Sequence, residues 1–177
     1  MTEISSYDLY RGVEGSLQAN KPAPNFTLLD GDAKPFKLSD HRGKNMAIAF
    51  YPADWSPVCK NEFALFQEAL DEIQGYNAEL VGISVDSHYS HRAWADHLHI
   101  SIPLLSDFWP HGAVAQQYGV FLEKDGFSNR ALFFVDTAGI IRSSWVAEDP
   151  DIAPGLNLVF DALEKLQGAP HEEARHV

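Results

Sequence analysis

The chain has 177 residues, 45% of them apolar and 21% charged, which suits one sizeable core and is too apolar for a disordered segment. Thirteen basic against 25 acidic side chains leave a net charge of −12, the wrong sign for nucleic acid or an anionic bilayer, so neither is expected as a partner. No apolar run approaches the roughly 20 residues of a membrane span, and residues 1–20 lack a basic start followed by an apolar stretch; a cytoplasmic protein is the expectation.

Residues 1–20 carry few periodic apolar positions and read as an N-terminal arm whose order depends on packing against the body. Residues 26–29 and 34–38 are short apolar-containing runs around Asp30-Gly31-Asp32, the pattern of a hairpin. Residues 46–51 form a continuous apolar run before Pro52, as expected for a strand buried on both faces. Residues 80–86 repeat that character about 30 residues later, the spacing of a βαβ crossover. Between them Phe63, Phe66, Leu70 and Ile73 line one face of a single helix that starts near Pro57. Further helices are expected over about 90–99 and 111–118, with a short apolar run at 103–105 between them. Residues 131–135 and 140–146 flank Asp136-Thr137-Ala138-Gly139 and read as a second hairpin. Leu156, Val159, Phe160, Leu163 and Leu166 stripe a final helix, and residues 168–177 are a polar tail. The body, residues 21–167, is therefore expected to be one α/β domain. Its element list fits a thioredoxin-like fold: a mixed central sheet flanked by helices, with an added N-terminal hairpin.

Cys59 is the single cysteine, which excludes an intrachain disulfide and a paired-cysteine metal knuckle. Any thiol chemistry rests on that residue alone. It follows a buried strand and falls in the first turn of a helix, with Ser56 placed as the N-cap and Pro57 as the first helical residue. The carboxyl edge of an open α/β sheet is where such folds place ligands. Unpaired N–H groups and the helix dipole favour an anion there, so the thiol is expected to ionise below its reference value of about 8.5. A thiol at about 8.5 is roughly 3% thiolate at neutral pH, and one at about 6 is roughly 90%. The competing reading is an inert buried cysteine beside an ordinary capping serine.

The run Pro52-x-x-x-Ser56-x-x-Cys59, with Glu62 three residues on and Arg130 directly before the strand at 131–135, resembles the active-site pattern of the peroxiredoxin (AhpC/TSA) family. Ser56 stands where that family usually has Thr. Residues 103–112 and Tyr118-Gly119-Val120 resemble its one-cysteine, alkyl hydroperoxide reductase E group, and the likeness runs from about residue 26 to 166. The resemblance implies a thiol-dependent peroxidase in antioxidant defence that reduces hydrogen peroxide, organic hydroperoxides or peroxynitrite. Cys59 would be the peroxidatic nucleophile and Arg130 would stabilise its thiolate and bind the peroxide. The Ser56 hydroxyl and the Cys59 backbone N–H would orient the oxygens, Pro52 would close the pocket, and Glu62 would hold Arg130 in place. It implies no metal, haem or flavin cofactor, a homodimer, and an external thiol or redoxin as reductant, because no second cysteine exists to resolve a sulfenic acid. Read without the resemblance, Glu62 is an exposed acid near a helix start and Arg130 a member of a surface ion pair. A non-catalytic redox sensor or binding module on the same fold is the rival function, and a structural protein with an inert thiol is the second.

Two other groupings stand out. His88 and His91 lie at i, i+3 with His97 and His99 nearby, but no further ligand completes a set, so solvated helix positions are expected. Trp94, Trp109 and Tyr118 are either a contact patch or core, and core is the expectation.

Overall fold

The computed structural model describes residue 17 and residues 19–168. The rest of the arm expected over 1–20, and the tail expected over 168–177 beyond Gly168, lie outside the described residues. Strands are β1 (Lys21–Pro22), β2 (Thr27–Leu29), β3 (Pro35–Lys37), β4 (Asn45–Phe50), β5 (Ala78–Ser84), β6 (Leu104–Ser106), β7 (Phe121–Leu122), β8 (Phe127–Ser128), β9 (Ala131–Val135) and β10 (Ile140–Val146). Helices are α1 (Pro57–Glu68), α2 (Leu70–Gly75), α3 (His88–Leu98), α4 (Ala113–Gln117) and α5 (Leu156–Gly168). Eight strands form one mixed sheet in the order β1-β10-β9-β4-β5-β6-β2-β3, while β7 and β8 pair separately. β4, β5 and β6 run parallel; β9 and β10 return antiparallel on one side, and the β2–β3 hairpin joins the other through β6. The fold is α/β and thioredoxin-like, and the N-terminal hairpin is the edge of the central sheet.

β4 shows why the run at 46–51 has no polar alternation. All six of its residues are buried. Met46, Ile48 and Phe50 enter one core cluster while Ala47 and Ala49, followed by Tyr51, enter the other, so consecutive side chains serve opposite faces of the sheet. The Ala47, Ala49 and Tyr51 face carries α1, α2, α3 and α5, and the Met46, Ile48 and Phe50 face carries α4 and the N-terminal hairpin. Gly82 lets α1 approach: a Cβ there would lie 2.7 Å from the Phe63 ring. Gly139, at φ 86°, supplies the left-handed residue that closes the β9–β10 turn, and Asp136 Oδ1 accepts from the N–H groups of Ala138 and Ile140.

Three expectations change. The stripe Phe63, Phe66, Leu70, Ile73 belongs to two helices, because Ala69 takes φ −91° and ψ 0° between α1 and α2. Neither Pro nor Gly marks the break, and all four apolar side chains still reach one core cluster across it. Trp94 and Tyr118 are core, on opposite faces of the sheet, but Trp109 is 80% exposed. It follows Asp107, whose carboxylate is drawn inward to accept from the N–H groups of Val114 and Ala115 at the start of α4, leaving Phe108 and Trp109 outside. β1 and the β7–β8 pair are two-residue strands, too short to show as periodicity.

Candidate active site

The chain leaves β4 at Phe50, passes the buried Tyr51 and Pro52, and crosses the carboxyl edge of the sheet to enter α1 at Pro57. Ser56 is the N-cap in extended conformation, and its Oγ accepts from the Cys59 backbone N–H at 3.2 Å. Pro57 takes the first helical position, where its missing N–H costs nothing. Cys59 is thereby held in the first turn, buried to 0% exposure.

Arg130 ends the buried segment Ser128-Asn129-Arg130 just before β9, which is antiparallel to β4. Its position is over-determined: the Asn129 side chain accepts from its backbone N–H at 2.8 Å, and its carbonyl accepts from Ala147 N. The Ser128 hydroxyl donates to the Tyr51 carbonyl, tying this segment to the start of the active-site loop. The guanidinium fans out over three acceptors. Nε donates to the Pro150 carbonyl at 3.0 Å, one terminal nitrogen to Glu62 Oε2, and the other to Cys59 Sγ at 3.3 Å. Arginine has five N–H donors, so two remain beyond these three contacts.

Glu62 follows Cys59 by three residues on α1, and the two side chains share that guanidinium from the same helix face. Glu62 is 2% exposed and Arg130 1%, so neither the exposed-acid nor the surface-pair reading of these residues holds. Burial pushes the Glu62 carboxyl up to about 7, against the opposing pull of Arg130. Its second oxygen, Oε1, is buried with no hydrogen-bond partner among the described residues.

The five residues singled out by sequence therefore divide. Cys59, Glu62 and Arg130 are in direct contact, Ser56 bonds the Cys59 backbone, and Pro52 is buried at the start of the same loop. One detail differs: the Cys59 N–H, expected to face a substrate, is taken by Ser56 Oγ. A serine without the γ-methyl of threonine rotates readily into the cap.

A second polar network went unseen in the sequence. Asp54, in the active-site loop, is 6% exposed. Its carboxylate accepts from Tyr51 OH at 2.7 Å and Ser90 Oγ at 2.8 Å, and meets His91 Nδ1 at 2.9 Å. His91 Nε2 reaches the Leu105 carbonyl, which only accepts, so Nε2 carries a proton. His91 is thus a buried tie between α3, β6 and the loop, which corrects the solvated position expected for it. Burial, aided by Asp54, raises the Tyr51 phenol well above its ordinary range. Asp86 joins by accepting from the Asp54 backbone N–H and from Ser84 Oγ. Asp54, Asp86 and His91 bring ligand-type atoms within 4.8 Å of one another, each already engaged in these internal bonds. No local pattern marks an inward carboxylate at Asp54, since Asp54 and His91 are 37 residues apart.

Residues 19–144 match the AhpC/TSA family. The chain belongs to that family. It is 41% identical over 151 residues to alkyl hydroperoxide reductase E of Mycobacterium bovis, spanning 85% of this chain and 98% of the relative. It is 38% identical over 147 residues to peroxiredoxin-1 of Gallus gallus, covering 77% of this chain and 73% of that one. The crystal structure of Enterococcus faecalis AhpC superposes with a TM-score of 0.79 at 33% identity, covering 90% of this chain and 98% of the other. As a peroxiredoxin with one cysteine, the protein is a thiol-dependent peroxidase working through a cysteine sulfenic acid.

Proposed function

We propose that Cys59 is the peroxidatic nucleophile of a one-cysteine peroxiredoxin that reduces hydrogen peroxide and organic hydroperoxides and is recycled by an external thiol or redoxin. The observation that carries this reading is the 3.3 Å contact between Arg130 and Cys59 Sγ, both buried, at the N-terminus of α1. A cation and a helix terminus converge on one sulfur, the arrangement that favours a thiolate. The thiolate attacks one peroxide oxygen in line, the O–O bond breaks, and the other oxygen leaves as hydroxide or alkoxide while Cys59 becomes a sulfenic acid. The two N–H donors that Arg130 has to spare face charge as it develops, as an oxyanion hole does. Ser56 keeps its own O–H to donate to a substrate oxygen while its lone pair caps α1, and Pro52 shields the pocket from water.

The finer parts of the reading have separate supports. One cysteine in the chain leaves the sulfenic acid without an internal resolving thiol. Exposed Trp55, Tyr89, Phe108 and Trp109 follow the carboxyl ends of β4, β5 and β6, beside the site, and favour a homodimer. The net charge of −12 and the fact that no described helix is long and apolar enough to cross a membrane fit a cytoplasmic protein without nucleic-acid or membrane partners. The test is stopped-flow mixing of reduced protein with hydrogen peroxide and with a fatty-acid hydroperoxide, followed by tryptophan fluorescence, then steady-state turnover with an added thiol. Fast oxidation and many turnovers are expected. Reaction no faster than that of a free thiol overturns the reading, and a single oxidation without turnover identifies the rival redox sensor.

A further inference from the structure

The active site contains one cation and two groups able to be anions. Arg130 faces Cys59 with one terminal nitrogen and Glu62 with the other, and all three side chains are buried. In a buried site one guanidinium offsets one anion well, whereas a second anion is left uncompensated at a cost of several kcal/mol. Glu62 itself shows the conflict, because Oε2 meets Arg130 while Oε1 is buried with no partner among the described residues. Arg130 is the charged group that acts on Glu62, and Cys59, one helical turn earlier, is the other titratable group on the same guanidinium.

We propose that Glu62 stores the proton released by Cys59 and gives it up when the peroxide is cleaved, so that the site holds one anion and one cation throughout. The inference deepens the peroxidase reading and rests on it. On ionisation the S–H bond of Cys59 breaks and an O–H bond forms on Glu62, leaving thiolate, guanidinium and neutral carboxylic acid. The thiolate then takes one oxygen from the peroxide, the O–O bond breaks, and the departing alkoxide acquires the stored proton to leave as the alcohol. Cys59 ends as a sulfenic acid and Glu62 as a carboxylate paired with Arg130. Sulfur is oxidised by two electrons, the peroxide is reduced by two, and the net charge of the site is unchanged. Burial already holds the free Glu62 carboxyl near 7, close to where such an exchange operates best.

The experiment is infrared difference spectroscopy of reduced protein treated with one equivalent of hydrogen peroxide at about pH 8, one unit above the free carboxyl. Oxidation of the wild type is expected to remove a carboxylic-acid carbonyl band that shifts in deuterated water. Glu62→Gln should lack the band, and reduced Cys59→Ser, having no thiolate to compete for Arg130, should also lack it. In Glu62→Gln the single-turnover rate should fall, and more steeply for hydroperoxides whose leaving alcohols are less acidic. A wild type whose Cys59 is fully converted to sulfenic acid with no loss of that band overturns the proton store and leaves the peroxidase reading standing. A band that persists in Cys59→Ser shows burial alone protonating Glu62 and overturns the coupling. Wild-type Cys59 that does not react with peroxide overturns the peroxidase reading and this inference with it.

Discussion

Arg130 joins the two anionic candidates of the site, and its substitution has two distinguishable effects. Arg130→Ala should slow peroxide reduction by about tenfold or more, since in the proposed mechanism it removes a donor that meets developing charge. It should also lower the fraction of Cys59 alkylated rapidly at neutral pH; an unchanged alkylation profile would assign Arg130 to substrate binding alone. Ser56 caps α1, and in the proposed mechanism the same oxygen also serves the substrate. Ser56→Ala should cost about 0.5–2 kcal/mol as a lost cap and also slow peroxide reaction, whereas Ser56→Thr, with its restricted χ1, should match or exceed the wild-type rate. Loss of stability in Ser56→Ala at an unchanged rate would reduce the residue to a cap. Glu62 sets a pH dependence whose sign is opposite to that of an ordinary paired acid. Its folded value, about 7, lies above its ordinary 4.5, so the native state binds more protons in that interval. The stability it contributes is full below about 4.5 and is lost as pH rises through about 7. Denaturation midpoints of Glu62→Gln should therefore fall less between those limits than those of the wild type, and an equal or steeper fall would contradict the raised carboxyl.

At the scale of elements, the start of α4 depends on a residue outside the helix. Gly112, at its N-cap, offers no side chain, and Asp107 accepts from both Val114 and Ala115 at 3.0 and 2.9 Å. Asp107→Ala strands two buried donors at about 1–3 kcal/mol apiece, and Asp107→Asn keeps one acceptor. Thermal melts should rank wild type above Asn above Ala; equal melting of Ala and wild type would show that water satisfies the helix end. α3 has its own cap in Ser87, whose Oγ accepts from Ser90 N, and this fixes His91 one turn further in, against Asp54. The active-site loop is thus anchored where it enters α1, by the Ser56 cap, and in its middle, by the Asp54 carboxylate tied to α3.

For the whole molecule, one cysteine decides the fate of the oxidised enzyme. Cys59 sulfenic acid has no intrachain thiol to condense with, and at 0% exposure it is poorly placed to meet a second copy's Cys59 directly. Graded peroxide without reductant should add one, then two, then three oxygens at Cys59 in intact-mass spectra, with dimedone trapping the first product. A disulfide-linked dimer forming at the rate of peroxide loss would instead make the partner subunit the resolving thiol.

Much of this architecture was legible in the chain because it rests on local rules. The buried run of β4, the Gly139 turn and the Ser56-Pro57 start of α1 are each dictated by patterns a few residues long, and Cys59 follows from the last of them. The long-range pairing of Arg130 with Cys59 and Glu62, 71 and 68 residues away, was reached only through resemblance, since no local pattern encodes a contact between two distant strand ends. Tertiary structure alone decided the rest. The break at Ala69 has no sequence marker, and the apolar stripe continues across it into one core cluster. His91 and Asp54 look like solvated polar residues until α3 docks over the loop, and Trp109 looks like core until Asp107 turns inward to cap α4. Whether a polar group is buried depends on which elements pack across it, and that is a property of the assembled sheet and helices rather than of neighbouring residues.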